Sequence, residues 1–190
     1  MTKNELRQRY KRKRKSLSKN EILDSSKLIF KHFIDKFNPQ KGQKIHLFLT
    51  IEKLKEIDTS IFIDYCFEHQ IRVFVPKMKG NKLYAIEINE NTIYETNSWE
   101  ITEPISDIDS REKNYDFILT PMLYCDSKGN RVGYGKGFYD SFFSEINSGL
   151  KIGVNFFEPQ ETIDNVWEND VTLDYLITPN RVLSFIGSEK

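Results

Sequence analysis

The sequence predicts an α/β protein of three layers, α/β/α, around a largely parallel central sheet, with a basic helix at its start. Short apolar runs recur at 45–49, 72–75, 116–120, 151–156 and 174–178, and segments with helical spacing of apolar residues alternate with them. Three runs stop at a proline, Pro76, Pro121 and Pro179, and proline cannot donate to a sheet ladder. No internal repeat or low-complexity linker divides the 190 residues. That length suits one domain, spanning 1–190.

Two capping boxes open the chain, Thr2 with Glu5 and Ser18 with Glu21. They predict a basic helix over 3–16 and a second over 19–36. The second places Ile22, Leu23, Leu28, Ile29, Phe33 and Phe37 on one broad face, and Pro39 and Gly42 stop it. Residues 45–49 follow as a buried strand, then a polar loop over 52–58. Thr59 is placed to cap a helix to about His69, with Ile61, Phe62, Tyr65 and Cys66 packing inward. The strand 72–75 closes at Pro76, and 83–88 reads as an outlying strand. Residues 89–114 read as polar and irregular. The strand 116–120 closes at Pro121, a glycine-rich segment covers 126–137, and a helix covers 138–147. Strands at 151–156 and 174–178 complete the sheet, the latter as its last central strand. In such sheets ligands sit beyond the carboxyl ends of the strands, which directs attention to the loops there.

Composition narrows the function. The 28 Lys and Arg balance 28 Asp and Glu, and 14 Phe with 9 Tyr exclude a disordered chain. Cys66 and Cys125 are too few for a disulfide scaffold or a cysteine-based zinc site, and neither has a His or second Cys nearby to make it a nucleophile. His32, His46 and His69 lack metal-ligand spacing and read as packing or surface residues. No run approaches the ~18 apolar residues of a membrane span, and the first residues are charged where a secretion signal is apolar. The expectation is a soluble, cytoplasmic protein. Its charge is uneven: residues 1–15 hold eight Lys and Arg against Glu5 alone, a local charge of +7. Such an arm implies an anionic partner.

The segment Asp126 to Asp140 holds four of the nine glycines within nine residues, at 129, 133, 135 and 137. A loop without Cβ atoms leading into a helix lets backbone N–H groups approach a phosphate. Arg131 and Lys136 add full charges. The spacing is neither that of a P-loop nor of a dinucleotide fingerprint, and composition alone fits a phosphate loop and a hairpin turn equally. Asp140, in the first turn of the helix, is either a ligand for a magnesium ion bridging phosphates or a partner of the helix dipole.

The run Arg131-Val132-Gly133-Tyr134-Gly135-Lys136-Gly137-Phe138-Tyr139-Asp140, preceded by Asp116, Pro121, Asp126 and Gly129, resembles the signature of the 5-formyltetrahydrofolate cyclo-ligase family. Cys125 stands where the family usually has Phe, and Tyr134 where it varies between Arg and Tyr. Lys3 and Arg7 resemble the family's N-terminal phosphate-contacting pair. Phe48-Leu49-Thr50 with Glu56-Ile57-Asp58-Thr59, carrying an extra residue or two, is similar to its folate-contacting loop. Val75-Pro76-Lys77, Trp99 to Pro104, Phe157 with Gln160, and Asn169 to Asp174 resemble further elements in the same order.

The resemblance implies ATP-dependent cyclisation of 5-formyltetrahydrofolate to 5,10-methenyltetrahydrofolate, with ATP as co-substrate and Mg2+ as cofactor. It assigns Lys3, Arg7, Arg131, Val132, Gly133, Tyr134, Gly135, Lys136, Gly137, Phe138 and Tyr139 to the nucleotide, with Lys136 and Arg131 catalytic. Thr50, Glu56, Asp58, Trp99, Tyr134, Tyr139 and Phe157 fall to the folate, and Asp140 with Asp170 to the metal. For each aromatic, core packing competes with stacking on the substrate; for Asp170, a turn role competes with metal binding. The expected partners are small molecules, with neither nucleic acid nor membrane, and the chain is expected to be a monomer. A nucleic-acid-binding role for the basic arm competes, but no RNP motif, helix-turn-helix or zinc finger accompanies it.

Overall fold

The computed structural model describes residues 1–80, 82–98 and 100–187. In chain order the elements are α1 (Lys3–Ser16), α2 (Lys19–Phe37), β1 (Lys44–His46), a 3-10 turn (Glu52–Leu54), α3 (Ser60–Glu68), β2 (Arg72–Lys79), β3 (Lys82–Ile88), β4 (Tyr94–Thr96), β5 (Thr102–Pro104), β6 (Asn114–Pro121), β7 (Tyr124–Cys125), β8 (Arg131–Val132), α4 (Phe138–Glu145), β9 (Ser148–Val154), β10 (Tyr175–Ile177) and β11 (Val182–Ser184). Seven strands form the main sheet in the order β11-β10-β9-β6-β1-β2-β3. Its five inner strands run parallel, and β3 and β11 close the two edges antiparallel.

Both capping boxes form. The Thr2 and Ser18 hydroxyls accept from the amides of Glu5 and Glu21, whose carboxylates accept in return from the Thr2 and Ser18 amides at 2.8 and 2.7 Å. Those amide bonds hold the Glu5 and Glu21 carboxyls below the usual range.

The parallel strands are apolar on both faces because both are covered. Val73, Val75, Phe117 and Leu119 meet Ile29 and Phe33 of α2 and Phe62 and Cys66 of α3 on one side. Phe74 and Ile118, one residue out of phase, meet Phe142 and Phe143 of α4 on the other. Further along that second side Met122, Cys125, Leu173 and Leu176 cluster. Gly153 makes this possible: a Cβ there would stand 2.5 Å from Met122 and 2.6 Å from Leu173.

His46 is the exception in the second core. It is fully buried against Phe142, at 4.5 Å between ring centres, with neither ring nitrogen hydrogen-bonded to a described residue. Burial alone pushes its pKa down to about 3.

Several elements differ from expectation. The strand over 45–49 ends at His46, although Leu47 and Phe48 stay buried. Phe48 gives its carbonyl to the Thr59 hydroxyl at 2.6 Å, so burial continues where the ladder stops. Thr59 is therefore not the side-chain cap of α3; Asp58 accepts from the Ser60 amide at 3.0 Å instead. Strand β2 runs through Pro76 to Lys79, because β1 pairs only as far as Phe74 and leaves Pro76 at an edge. The irregular stretch 89–114 contains the β4–β5 hairpin, tied to the body where buried Lys77 donates to Pro104 O at 2.6 Å and pairs with Asp107 at 2.9 Å. Helix α4 stops at Glu145, where the Asn147 amide turns to Lys113 O at 2.7 Å and starts β9 early. Strand β9 is correspondingly Ser148–Val154, and β11 adds an edge beyond β10.

Candidate active site

The carboxyl ends of β1, β6 and β9 open towards α1, the glycine-rich segment, the 48–59 loop and the segment 155–171. The first half of the glycine-rich segment is a hairpin, β7–β8. Fully buried Asp126 shapes its turn: one carboxylate oxygen accepts from the amides of Lys128 and Asn130 at 2.9 Å, and the other from the Asn130 side chain at 3.0 Å. The second half, 133–137, is a loop that ends at Gly137 in the left-handed region, φ 69°, as the first cap of α4. Among the described residues no side chain caps that helix, so its first N–H groups are directed at the loop.

Helix α1 is fastened over this loop by apolar and aromatic packing. Leu6 and Tyr10 pack with Tyr124, Val132 and Ile163, and the Tyr10 and Tyr124 rings stack at 4.3 Å. The Tyr10 hydroxyl donates to the Glu161 carboxylate, and the Tyr124 hydroxyl to Glu161 O at 2.7 Å. The basic residues of α1 are thereby aimed. Arg7 Nε donates to Gly133 O at 3.0 Å. A Cβ on Gly135, φ 97°, would stand 3.2 Å from the Arg7 guanidinium. Lys3 Nζ pairs with Asp170, which also accepts from the Trp167 amide at 2.6 Å.

Arg131 is a cation whose side chain is largely buried. Its guanidinium pairs with Asp140 at 2.6 Å, donates to Val171 O and lies 4.8 Å over the Phe143 ring. The Val171 amide reaches the same Asp140 oxygen at 3.3 Å, so α4 and the 167–171 turn meet at Arg131. Lys136 is exposed, its ammonium 5.9 Å from the Phe138 ring.

On the sheet side of the loop a second charged group is buried. Glu56, 4% exposed, accepts from the Ile51 amide at 3.0 Å and from the Tyr134 hydroxyl at 3.4 Å. Burial raises its pKa, opposed by the Ile51 amide and by the charge of Arg14. The Tyr139 hydroxyl is buried nearby without a hydrogen-bond partner among the described residues. Beside α4 lies a cleft of about 530 Å3 whose walls include Lys79, Lys82, Tyr84, Arg111, Phe138 and Phe142.

Most residues singled out in the sequence converge here: Lys3, Arg7, Glu56, Arg131, the segment Gly133–Asp140, and Asp170. Others sit elsewhere in the arrangement. Thr50 bonds Ile57 O at 2.9 Å and holds the 48–59 loop. Asp58 spends its carboxylate on Ser60 at 2.7 Å. Val132 is wholly within the α1 core cluster, and Phe157 packs 5.2 Å from the Tyr10 ring. Trp99 lies outside the described residues. Arg14 also belongs to the site, although the sequence hides it among five consecutive basic residues. Its signal was the spacing Leu6, Tyr10, Arg14, which puts it on the buried face of α1.

A family model, the 5-formyltetrahydrofolate cyclo-ligase family, matches residues 1–179. A relative from Schizosaccharomyces pombe, "Probable 5-formyltetrahydrofolate cyclo-ligase", is 29% identical over 86% of this chain and 89% of its own. The mouse 5-formyltetrahydrofolate cyclo-ligase is 29% identical over 72% of this chain and 71% of its own. Among solved structures, the Aquifex aeolicus 5,10-methenyltetrahydrofolate synthetase superposes with a TM-score of 0.82 at 26% identity, covering 100% of this chain and 96% of that one. The match takes in every part of the site, from Lys3 of α1 to the strand end after β10, and the chain belongs to the 5-formyltetrahydrofolate cyclo-ligase family of enzymes.

Proposed function

We propose that the protein converts 5-formyltetrahydrofolate and ATP to 5,10-methenyltetrahydrofolate, ADP and phosphate. The observation that carries this reading is the meeting of α1 with the glycine loop: Lys3 and Arg7 reach Asp170 and Gly133 across more than half of the chain. Two cations one helical turn apart, a loop with glycine at every other position and a helix start without a side-chain cap among the described residues together suit a triphosphate.

The chemistry requires little covalent work from the protein. A formamide carbonyl is a poor electrophile. Transfer of the γ-phosphoryl group to the formyl oxygen gives an iminium phosphate; the N10 nitrogen of the folate then attacks the formyl carbon and gives up its proton to water, and the C–O bond to phosphate breaks as the ring closes. Lys3, Arg7, Arg131 and Lys136 neutralise charge spreading over the phosphoryl oxygens, and the loop amides align them with the formyl oxygen. Glu56 is the carboxylate for the pterin's N–H donors, with the unpartnered Tyr139 hydroxyl beside it. Lys82 and Arg111 of the adjoining cleft suit the glutamate carboxylates of the folate.

The donor set also fits Mg2+, which favours one or two carboxylates completed by phosphate oxygens and water. Asp140 and Asp170 flank Arg131, and each now holds a cation, Arg131 and Lys3 respectively. With phosphates between them as new partners for those cations, Asp140 and Asp170 would be the carboxylates to hold the ion, which would supply positive charge against the phosphates.

The test is an absorbance assay for methenyltetrahydrofolate. Product should form only with 5-formyltetrahydrofolate, ATP and a divalent cation together. Turnover without ATP, or none with all three, refutes the reading.

A further inference from the structure

Arg14 is 4% exposed although it carries a full charge. Helix α1 turns it inward on the face of Leu6 and Tyr10. Its guanidinium lies 5.7 Å from the Phe156 ring and donates to Met122 O through one Nη. The other Nη donates at 3.2 Å to the Tyr134 hydroxyl, which donates in turn to Glu56 at 3.4 Å. Three separate segments, α1, the glycine loop and the 48–59 loop, are thus joined by one polar chain.

Arg14 Nε has no partner among the described residues. With Glu56 it lines a narrow recess among Phe48, Pro121, Met122 and Val154, at the carboxyl ends of β1, β6 and β9. A buried guanidinium with an idle donor is costly to fold and calls for a reason beyond packing, which an apolar side chain would serve better.

We infer that Arg14 is a positioning residue for the folate: through the Tyr134 hydroxyl and its own charge it holds the Glu56 carboxylate charged and oriented towards the pterin, and ties it to the nucleotide loop. This rests on the cyclo-ligase reading. The groups facing Glu56 are Arg14 from α1, Tyr134 from the loop and Tyr139 from the start of α4, and of these only Arg14 is cationic. Burial raises the pKa of Glu56 and Arg14 opposes that rise. Without Arg14, the acid limb of kcat/KM for the folate moves to higher pH.

The experiment compares the wild type with Arg14→Met, Arg14→Lys, Tyr134→Phe and the Arg14→Met/Tyr134→Phe pair. Arg14→Met should raise KM for 5-formyltetrahydrofolate about tenfold or more while KM for ATP stays within about twofold. Its acid limb should rise by about one pH unit, and Arg14→Lys should bring the limb back without restoring KM. Adding Tyr134→Phe to Arg14→Met should cost less than Tyr134→Phe does alone, since the two groups act through the same chain. A role in packing alone lowers the melting temperature with the limb and the KM ratio unmoved, and that result overturns the inference. Should Arg14→Met not fold, Arg14→Lys and Tyr134→Phe decide: unchanged folate KM in both overturns it. An inactive wild type overturns the cyclo-ligase reading itself, and this inference with it.

Discussion

Asp140 and Arg131 form the contact on which two readings of one carboxylate separate. Asp140 is about one-third exposed and Arg131 is nearly buried, so the pair gives α4 a firm start as well as a candidate metal ligand. Asp140→Asn keeps an oxygen to accept from Arg131 and Val171, and should lower stability by only about 1 kcal/mol. Loss of a metal ligand between phosphates should lower the rate about a hundredfold or more. Thermal melts and initial rates with varied Mg2+ distinguish them: a normal rate with slightly lower stability would make Asp140 a structural residue. His46 poses the opposite case, a titratable group used for nothing visible in the site. In the folded chain it stays neutral down to a pKa of about 3, whereas unfolded it takes a proton below about 6.5. The unfolded state therefore binds more protons between those limits. The stability associated with neutral His46 is complete above about pH 6.5 and falls by about 1.4 kcal/mol for each unit below it. His46→Leu should remove this part of the acid sensitivity and add about 1 kcal/mol at neutral pH, because two unpaired ring nitrogens leave the core. Urea melts at pH 7 and pH 5 measure both; equal pH dependence in the two proteins would contradict the assignment.

At the scale of elements, the α1 helix shows both the reach and the limit of sequence reading. The capping box and the Lys3–Arg7 spacing were legible, since both depend on residues three or four apart on one helix. Which of the following cations mattered was not. Lys11 and Lys13 lie over the Tyr134 and Tyr10 rings, at 5.5 and 4.6 Å, while Arg14 passes inside, and only the docking angle of the helix decides among them. Lys3→Ala and Arg7→Ala should each raise KM for ATP about tenfold or more, as loss of a charged hydrogen bond implies. Lys13→Ala removes an exposed cation–π contact of about 0.5–1 kcal/mol and should leave ATP dependence unchanged. Steady-state kinetics on the three variants checks this, and equal effects would mean that α1 acts as diffuse charge. The sheet was legible for a similar local reason: strands covered on both sides read as continuous apolar runs. Its edges were not. The segment 182–184 is only partly buried, so β11 carries little apolar signal, and β4–β5 is mostly exposed. Likewise Leu47 and Phe48 look like strand because burial, not hydrogen bonding, sets the apolar pattern. For the site, the glycine spacing marked the loop, but the burial of Glu56 and the commitment of Asp58 to Ser60 depend on how the 48–59 loop folds back over Thr59.

For the whole molecule, the site is an assembly of distant segments on a rigid sheet. The two cores that clamp the sheet, around Phe33 and Phe62 on one side and Phe142 and Phe143 on the other, include no residue of α1. Helix α1 rests on a third cluster with the β7–β8 hairpin and Ile163, and its polar contacts reach the glycine loop, Glu161 and Asp170. On the proposed reading, a triphosphate held by Lys3, Arg7, the loop and Arg131 would link a peripheral helix to the body, and its binding energy should appear as stability of the entire chain. A ligand at about 100 times its Kd adds about 2.7 kcal/mol. A chain of this size gains about 2–4 °C for each kcal/mol, so a non-hydrolysable ATP analogue with Mg2+ should raise the melting temperature by about 5–10 °C. The analogue without metal should give a smaller shift, because Asp140 and Asp170 then face the phosphates as uncompensated anions. Replacing both with Asn removes that repulsion together with the metal ligands. In the double variant the shifts with and without Mg2+ should coincide, between the two wild-type values. Differential scanning calorimetry of the four combinations measures this directly. Equal shifts with and without metal in the wild type would show that the two carboxylates hold Arg131 and Lys3 and nothing else.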